Sequence, residues 1–327
     1  SITDLGIIAK ADFSLGDLTI ICGENNTGKT YATYALYGYL TFWHETYFIE
    51  IDDNKISTLL NNGVVKFELK NYLARANKII EASCSKFTDN LSIIFAAQKD
   101  RFRNSRFLVT MNDVDLHPMD SFEQRMKTGK SDLLVISKEK DSDVLVATLL
   151  REKEPLDIPR NMLKQVIGDA LKMVLFKNLF PRPFIASAER TGAAIFRKEL
   201  NFARNRLLEE MSQADKKLDP LSLLFKVYKD YALPVKKNVD FTRDLESLAK
   251  KSSFIAEEHS DVLSDFADII GGQYTVTKED QLYYIPKGKK IKLSMDESSS
   301  AVRSLLDLGF YLRHVARPGD LLMVDEP

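Results

Sequence analysis

Residues 23–30 read Gly-Glu-Asn-Asn-Thr-Gly-Lys-Thr and fit the pattern G-x-x-x-x-G-K-[ST] in full. The pattern has a physical reading. Gly23 and Gly28 let the backbone N–H groups of Glu24, Asn25, Asn26 and Thr27 curl around phosphate oxygens, and a following helix adds the positive end of its dipole. Lys29 then reaches the β- and γ-phosphates of a nucleoside triphosphate, the Thr30 hydroxyl holds Mg²⁺, and Tyr31 lies in the same helical turn. The alternative is a Gly/Asn turn that merely joins a strand to a helix. A metal held by Thr30 needs a carboxylate, and "GDLLMVDEP" (319–327) offers two. Asp325 follows four apolar residues that form a short strand, at the end where α/β sheets place ligands. Asp325 would support Mg²⁺ through water, and Glu326 would polarise an attacking water as general base. An acidic turn after an edge strand is the competing reading.

A third group is the run Ser298-Ser299-Ser300, ahead of apolar positions at Val302, Leu305, Leu306, Leu308, Phe310 and Leu312. Serines there are helix N-caps first. A serine-rich helix start about 25 residues before the acidic pair also suits a second phosphate grip, acting on a γ-phosphate held by another subunit.

These residues need elements to carry them. "DLTIIC" (17–22) reads as a buried strand, and "TYATYALYGYLTFW" (30–43) as a buried helix. The strand–loop–helix order makes the glycine pattern a site. "LSIIFAA" (91–97) reads as another strand, ending at Gln98, and "PFIA" (183–186) as a short one before Arg190. "VVKFEL" is strand-like, "NYLARANKIIEAS" is helical, and 132–154 is a hairpin about "KDSD". Residues 156–180 are helical with Pro159 near the start. Residues 193–268 are mostly helical and charged, with breaks at Pro220 and Pro234. The helical stretch 197–218 is too short, and its seam too poor, for a long coiled-coil arm.

Composition excludes more than it selects. The 327 residues are 44% hydrophobic and 28% charged, ordinary values for a globular chain with a sizeable core. No apolar run approaches the roughly 18 residues of a membrane span, and the N-terminus does not look like a signal peptide. Two cysteines give no disulfide framework, and four scattered histidines give no metal-ligand spacing. The expected setting is the cytoplasm. A net charge of −1 supplies no global attraction to nucleic acid, although "KDRFRNSRF" (99–107) and "KGKKIK" (287–292) are local basic runs that also suit solvated loops.

The chain resembles the ABC-type ATPases of the SMC/RecF/OLD group. It looks closest to the OLD-like branch and its relatives in bacterial anti-phage systems, such as Septu-type and retron-associated ATPases. The resemblance rests on "GENNTGKT" (23–30), "IASAERTG" (185–192), the stretch 271–306 and "LLMVDEP" (321–327). It implies an α/β fold of the P-loop NTPase, ABC-ATPase type. That is a two-lobed head with a mixed central sheet, a β-meander and a helical insertion. The first lobe would take residues 1–192, the insertion 193–268 and the second lobe 269–327. The cofactors implied are ATP and Mg²⁺, and the assembly is a head-to-head homodimer with ATP between the loop of one head and Ser298–Ser300 of the other. Gln98 would be the glutamine that senses Mg²⁺, or else an ordinary surface glutamine, and Arg190 a basic residue near the nucleotide, unless it pairs structurally with Glu189 or elsewhere. Two departures matter. The serine signature lacks the glycine pair of transporter-type relatives, and the sequence stops at Pro327, so the resemblance implies a longer protein.

The function implied is an ATP-hydrolysing dimeric switch that controls a nucleic-acid-directed effector in anti-phage defence. Its partners would be a nuclease or toxin and DNA or an RNA–DNA species, with no membrane. Two alternatives stand beside it: a RecF-like repair or recombination ATPase, and a nucleotide-dependent scaffold that holds a nuclease or toxin inactive.

Overall fold

The computed structural model describes residues 1–111, 116–128, 131–150, 158–177, 179–196, 231–278 and 281–326. The chain divides into two compact units, residues 1–2, 39–89 and 106–181 in one and residues 3–38, 90–105 and 182–327 in the other. They cut the chain differently from the expected lobes. The expected first lobe is shared between both units, and the described part of the expected insertion belongs with the second lobe. The helix expected over 197–218 lies outside the described residues.

The chain opens with β1 (Ile2–Leu5) and β2 (Ile8–Ala11), neighbours in one sheet, and reaches α1 (Lys29–Glu45) through a long connection. The first unit continues with α2 (Asp53–Asn62), β3 (Val64–Glu68), α3 (Leu69–Leu73), α4 (Ala76–Thr88) and the two-residue β4 (Arg106–Phe107). The boundaries of α2 follow from its caps. The Asp52 carboxylate accepts from the Asn54 N–H at 2.8 Å, and Gly63, at φ +75°, closes the far end by donating to the Leu59 carbonyl.

β3 joins β5 (Phe122–Thr128), β6 (Ser131–Lys138) and β7 (Val144–Leu149) in an antiparallel sheet of order β3-β7-β6-β5. The hairpin expected over 132–154 is β6–β7. One face of the sheet is apolar by alternation: Val65 lies opposite Ala147 and Phe67 opposite Leu145, and all four are buried. α2 packs against β3, β7 and α6 (Arg160–Phe176), whose Leu163, Ile167, Leu171 and Val174 are fully buried. An aromatic cluster completes this core, with Tyr39, Trp43 and Phe87 meeting Phe107, Phe176 and Phe180.

Gly168 is the tight point of α6. A Cβ there would lie 2.1 Å from the Ile49 carbonyl oxygen, and the Ile49 N–H donates to the Gly168 carbonyl at 3.3 Å. Backbone cannot give way as a flexible side chain does. We expect Gly168→Ala to lower stability by about 1–3 kcal/mol in a chemical-denaturation curve; an unchanged midpoint would contradict the close crossing.

In the second unit α5 (Leu91–Ile94) stands where a strand over 91–97 was expected. Ala96, within that run, has φ +48°, which interrupts any extended segment. β8 (Pro183–Ala186) leads through a short turn to α7 (Arg190–Ile195), and α8 (Leu233–Arg243), α9 (Leu245–Leu248), α10 (Phe254–Glu258) and α11 (Ser260–Ile270) follow. β9 (Gly272–Val276) and β10 (Leu282–Pro286) pair antiparallel, and Leu293 bridges Tyr284. The expected meander is therefore a hairpin plus one bridge. α12 (Ser300–Ser304) and α13 (Leu306–His314) replace the single expected helix, parted at Leu305 with φ −95° and ψ 0°. Leu245, Tyr284, Met295, Val302, Leu306 and Phe310 form the core here.

β11 (Leu321–Val324) runs parallel to β8, Val324 opposite Ala186. Its register is pinned at the start, where Arg182 donates twice to the Asp320 carboxylate, at 3.1 and 2.9 Å.

The fold is thus mixed α/β, but the expected mixed central sheet is replaced by separate sheets, mostly antiparallel. The strand expected over 17–22 is not formed. Leu18 is 82% and Ile20 76% exposed, and no strand among the described residues pairs with the segment to complete a ladder.

Candidate functional site

The loop 23–28 has positive φ at three residues, Gly23 (+156°), Asn26 and Gly28. Asn26 has φ +62°, a conformation asparagine tolerates, and Gly28 has φ +96°. Gly28 has a second constraint, since a Cβ would lie 2.5 Å from Ile8 Cγ1. Alternating left-handed with ordinary residues is the geometry that converges successive N–H groups into an anion nest. The Thr27 hydroxyl steadies the loop by donating to the Glu24 carbonyl at 2.9 Å. Lys29 opens α1, and its Nζ folds back onto the Gly23 and Glu24 carbonyls at 2.9 and 2.7 Å. Two of its three N–H groups hold the loop, which leaves one for an anionic oxygen.

Thr30 and Asp325, 295 positions apart, meet: the Thr30 hydroxyl donates to Asp325 Oδ1 at 3.3 Å. β8 holds Asp325 in place, because the Ala186 carbonyl accepts its N–H at 2.9 Å. The outer edge of β8 is closed by the Asn238 side chain, whose Oδ1 accepts from the Ser187 N–H at 2.7 Å while Nδ2 donates to the Ile185 carbonyl at 2.6 Å. Burial raises the Asp325 carboxyl, and the Glu326 and Glu189 carboxylates raise it further. The Thr30 hydroxyl and Arg190 oppose them. Asp325 Oδ2 is buried with no hydrogen-bond partner among the described residues.

A cavity of about 650 Å³ opens here, within the roughly 300–1,000 Å³ usual for small-molecule sites. Asn25, Lys29, Thr30, Tyr31, Asp325 and Glu326 line it together with apolar residues of the 15–21 segment and β11. The loop and the acidic pair therefore share one concavity.

Tyr34 and Glu189 meet beside the site, a pairing for which the sequence carried no signal. Tyr34, one turn into α1, donates to Glu189 Oε2 at 3.0 Å, and burial, reinforced by Glu189, raises its phenol. Only the fold brings residues 155 positions apart together.

The other expected site residues fare differently. Gln98 is exposed, precedes a short 3-10 turn (Lys99–Phe102) and does not line the cavity. The strand that should have delivered it is α5. Ser298 is buried and its hydroxyl donates to the Ser294 carbonyl at 2.8 Å, which removes it as a free phosphate grip. Ser299 caps α12 by accepting from the Val302 N–H at 3.3 Å, and it and Ser300 are exposed. Arg190 is 4% exposed and bonds backbone carbonyls rather than Glu189.

The residues fit Mg²⁺. A hydroxyl and a carboxylate oxygen sit together beside an orphaned buried Oδ2, and Mg²⁺ characteristically takes one or two protein ligands while phosphate and water fill the rest. Among the described residues no three His, Cys, Asp or Glu side chains are grouped to hold a metal by themselves. No helix among them is long and apolar enough to cross a membrane. Comparison of the chain with family models, with curated proteins and with solved structures finds no match.

Proposed function

We propose that the chain binds ATP with Mg²⁺ at residues 23–31 and hydrolyses it, as an ABC-type ATPase head. The observation that carries this reading is the Thr30–Asp325 hydrogen bond, which unites the phosphate loop with the acidic strand end inside one cavity. Lys29 would exchange its loop carbonyls for phosphate oxygens, and the N–H groups of the loop and of the first turn of α1 would take the others. Thr30 and Asp325 would hold Mg²⁺, which supplies charge neutralisation across the phosphates when bound. Glu326, exposed beside Asp325, would orient a water and take its proton.

Exposed Ser299 and Ser300 support a homodimer in which each head completes the site of the other. The resemblance extends the proposal to a switch that governs a nucleic-acid-directed effector, such as a nuclease or toxin, in anti-phage defence. The test is phosphate release against protein concentration at saturating ATP and Mg²⁺. We expect turnover per chain to rise with concentration as dimers form. Turnover per chain independent of concentration would remove the dimer, and its absence at every concentration would remove the ATPase.

A further inference from the structure

We infer that Arg190 is a positioning residue that links the helix bearing the serine signature to the general base Glu326, an inference that rests on the ATPase reading above. A buried guanidinium ordinarily sits on a carboxylate. Arg190 instead spends its fixed fork on four backbone carbonyls. Nε donates to Ser304 at 2.7 Å, Nη1 to Ser187 and Asp325 at 2.8 Å each, and Nη2 to Glu326 at 2.9 Å. Those carbonyls belong to three pieces of the site: the last residue of α12, the end of β8, and the acidic pair after β11.

The bond to Glu326 has a particular role. Glu326 has φ +52°, a left-handed conformation that a non-glycine residue keeps only when its surroundings impose it. Arg190 bonds the carbonyls of Asp325 and Glu326 in succession and so fixes the turn that aims the Glu326 side chain. The same rigid fork holds Ser304, four residues beyond the exposed Ser300, on the α12 helix that the signature begins. A shift of α12 when Ser299 and Ser300 engage a phosphate on another head must move the guanidinium or break its Nε bond. Either event changes the turn at Glu326. Binding in trans is thereby coupled to the base in cis through one side chain.

The test uses Arg190→Lys and the neutral Arg190→Gln, neither of which can span four carbonyls. For whichever variant melts near the parent, ATP affinity should stay within about threefold while kcat falls about 10–100-fold, the scale of losing an outer support of a reactive group. The decisive reading is the double variant with Glu326→Gln. If Arg190 acts through Glu326, its substitution costs nothing further in that background. Additive losses, an unchanged kcat, or both variants unfolded at the assay temperature would each overturn the inference. Failure of the parent to bind ATP would overturn the ATPase reading instead, a separate result seen before any variant is made.

Discussion

Glu326→Gln is expected to leave ATP binding intact while hydrolysis falls by about 10²–10⁴-fold, the usual contribution of a positioned general base. The substitution keeps the size of the side chain and its carbonyl oxygen but removes the site that accepts a proton. It should leave the proposed phosphate contacts untouched, since Lys29, Thr30 and the loop lie on another segment of the cavity wall. The backbone should also hold, because Arg190 grips the carbonyl of residue 326, which any side chain leaves in place. Single-turnover phosphate release beside an equilibrium binding curve separates the two quantities. Unchanged hydrolysis would remove Glu326 as the base, and lost binding would make its role structural.

The second large effect concerns stability. Asp307, in the first turn of α13, is 1% exposed. The Thr242 hydroxyl donates to its Oδ1 at 3.4 Å, and Oδ2 has no partner among the described residues. Burial pushes its carboxyl from 3.8 up to about 7, against a smaller lowering by Thr242 and Arg190. The folded value lies above the unfolded one, so the unfolded chain gives up this proton first. The stability contribution of Asp307 is full below about pH 4, declines as pH rises towards 7, and stays low above that. A shift of about three pH units corresponds to about 4 kcal/mol. Asp307→Asn stays neutral at every pH, so it should match the parent near pH 4 and exceed it by up to that amount at pH 8. Denaturant titrations at the two values check this. A difference independent of pH would show that Asp307 does not titrate in the fold.

What the sequence revealed of the site was what local chemistry dictates. Gly23, Gly28, Lys29 and Thr30 read as a phosphate loop because each residue type would have a job within eight positions. Asp325 and Glu326 announce themselves by ending an apolar run. Gly28 even carries a second reason for being glycine, its contact with Ile8, that the pattern does not express. Whether an apolar run forms a strand depends on neighbours that a single segment cannot reveal. The runs 17–22 and 91–97 have similar apolar character, yet one is exposed without regular structure and the other begins as a helix, because no described strand pairs with either. β6 and β7 were legible because a hairpin supplies its own partner.

Arg190 and Glu189 show the other limit. The sequence places them side by side and suggests an ion pair. The fold sends Glu189 to Tyr34 and Arg190 to four carbonyls up to 136 positions away. Ser298 shows the same limit within one motif, being buried on Ser294 while Ser299 and Ser300 remain outside.

The central claim is that residues 23–31 and the acidic pair form one ATP site. Calorimetric titration of the chain with ATP, with and without Mg²⁺, tests it most directly, with Lys29→Ala run in parallel. We expect one ATP per chain, tighter binding with Mg²⁺, and loss of at least about 100-fold in affinity in Lys29→Ala, a charged hydrogen-bonding group being worth about 3 kcal/mol. Absence of binding by the parent, or equal binding by Lys29→Ala, would contradict it.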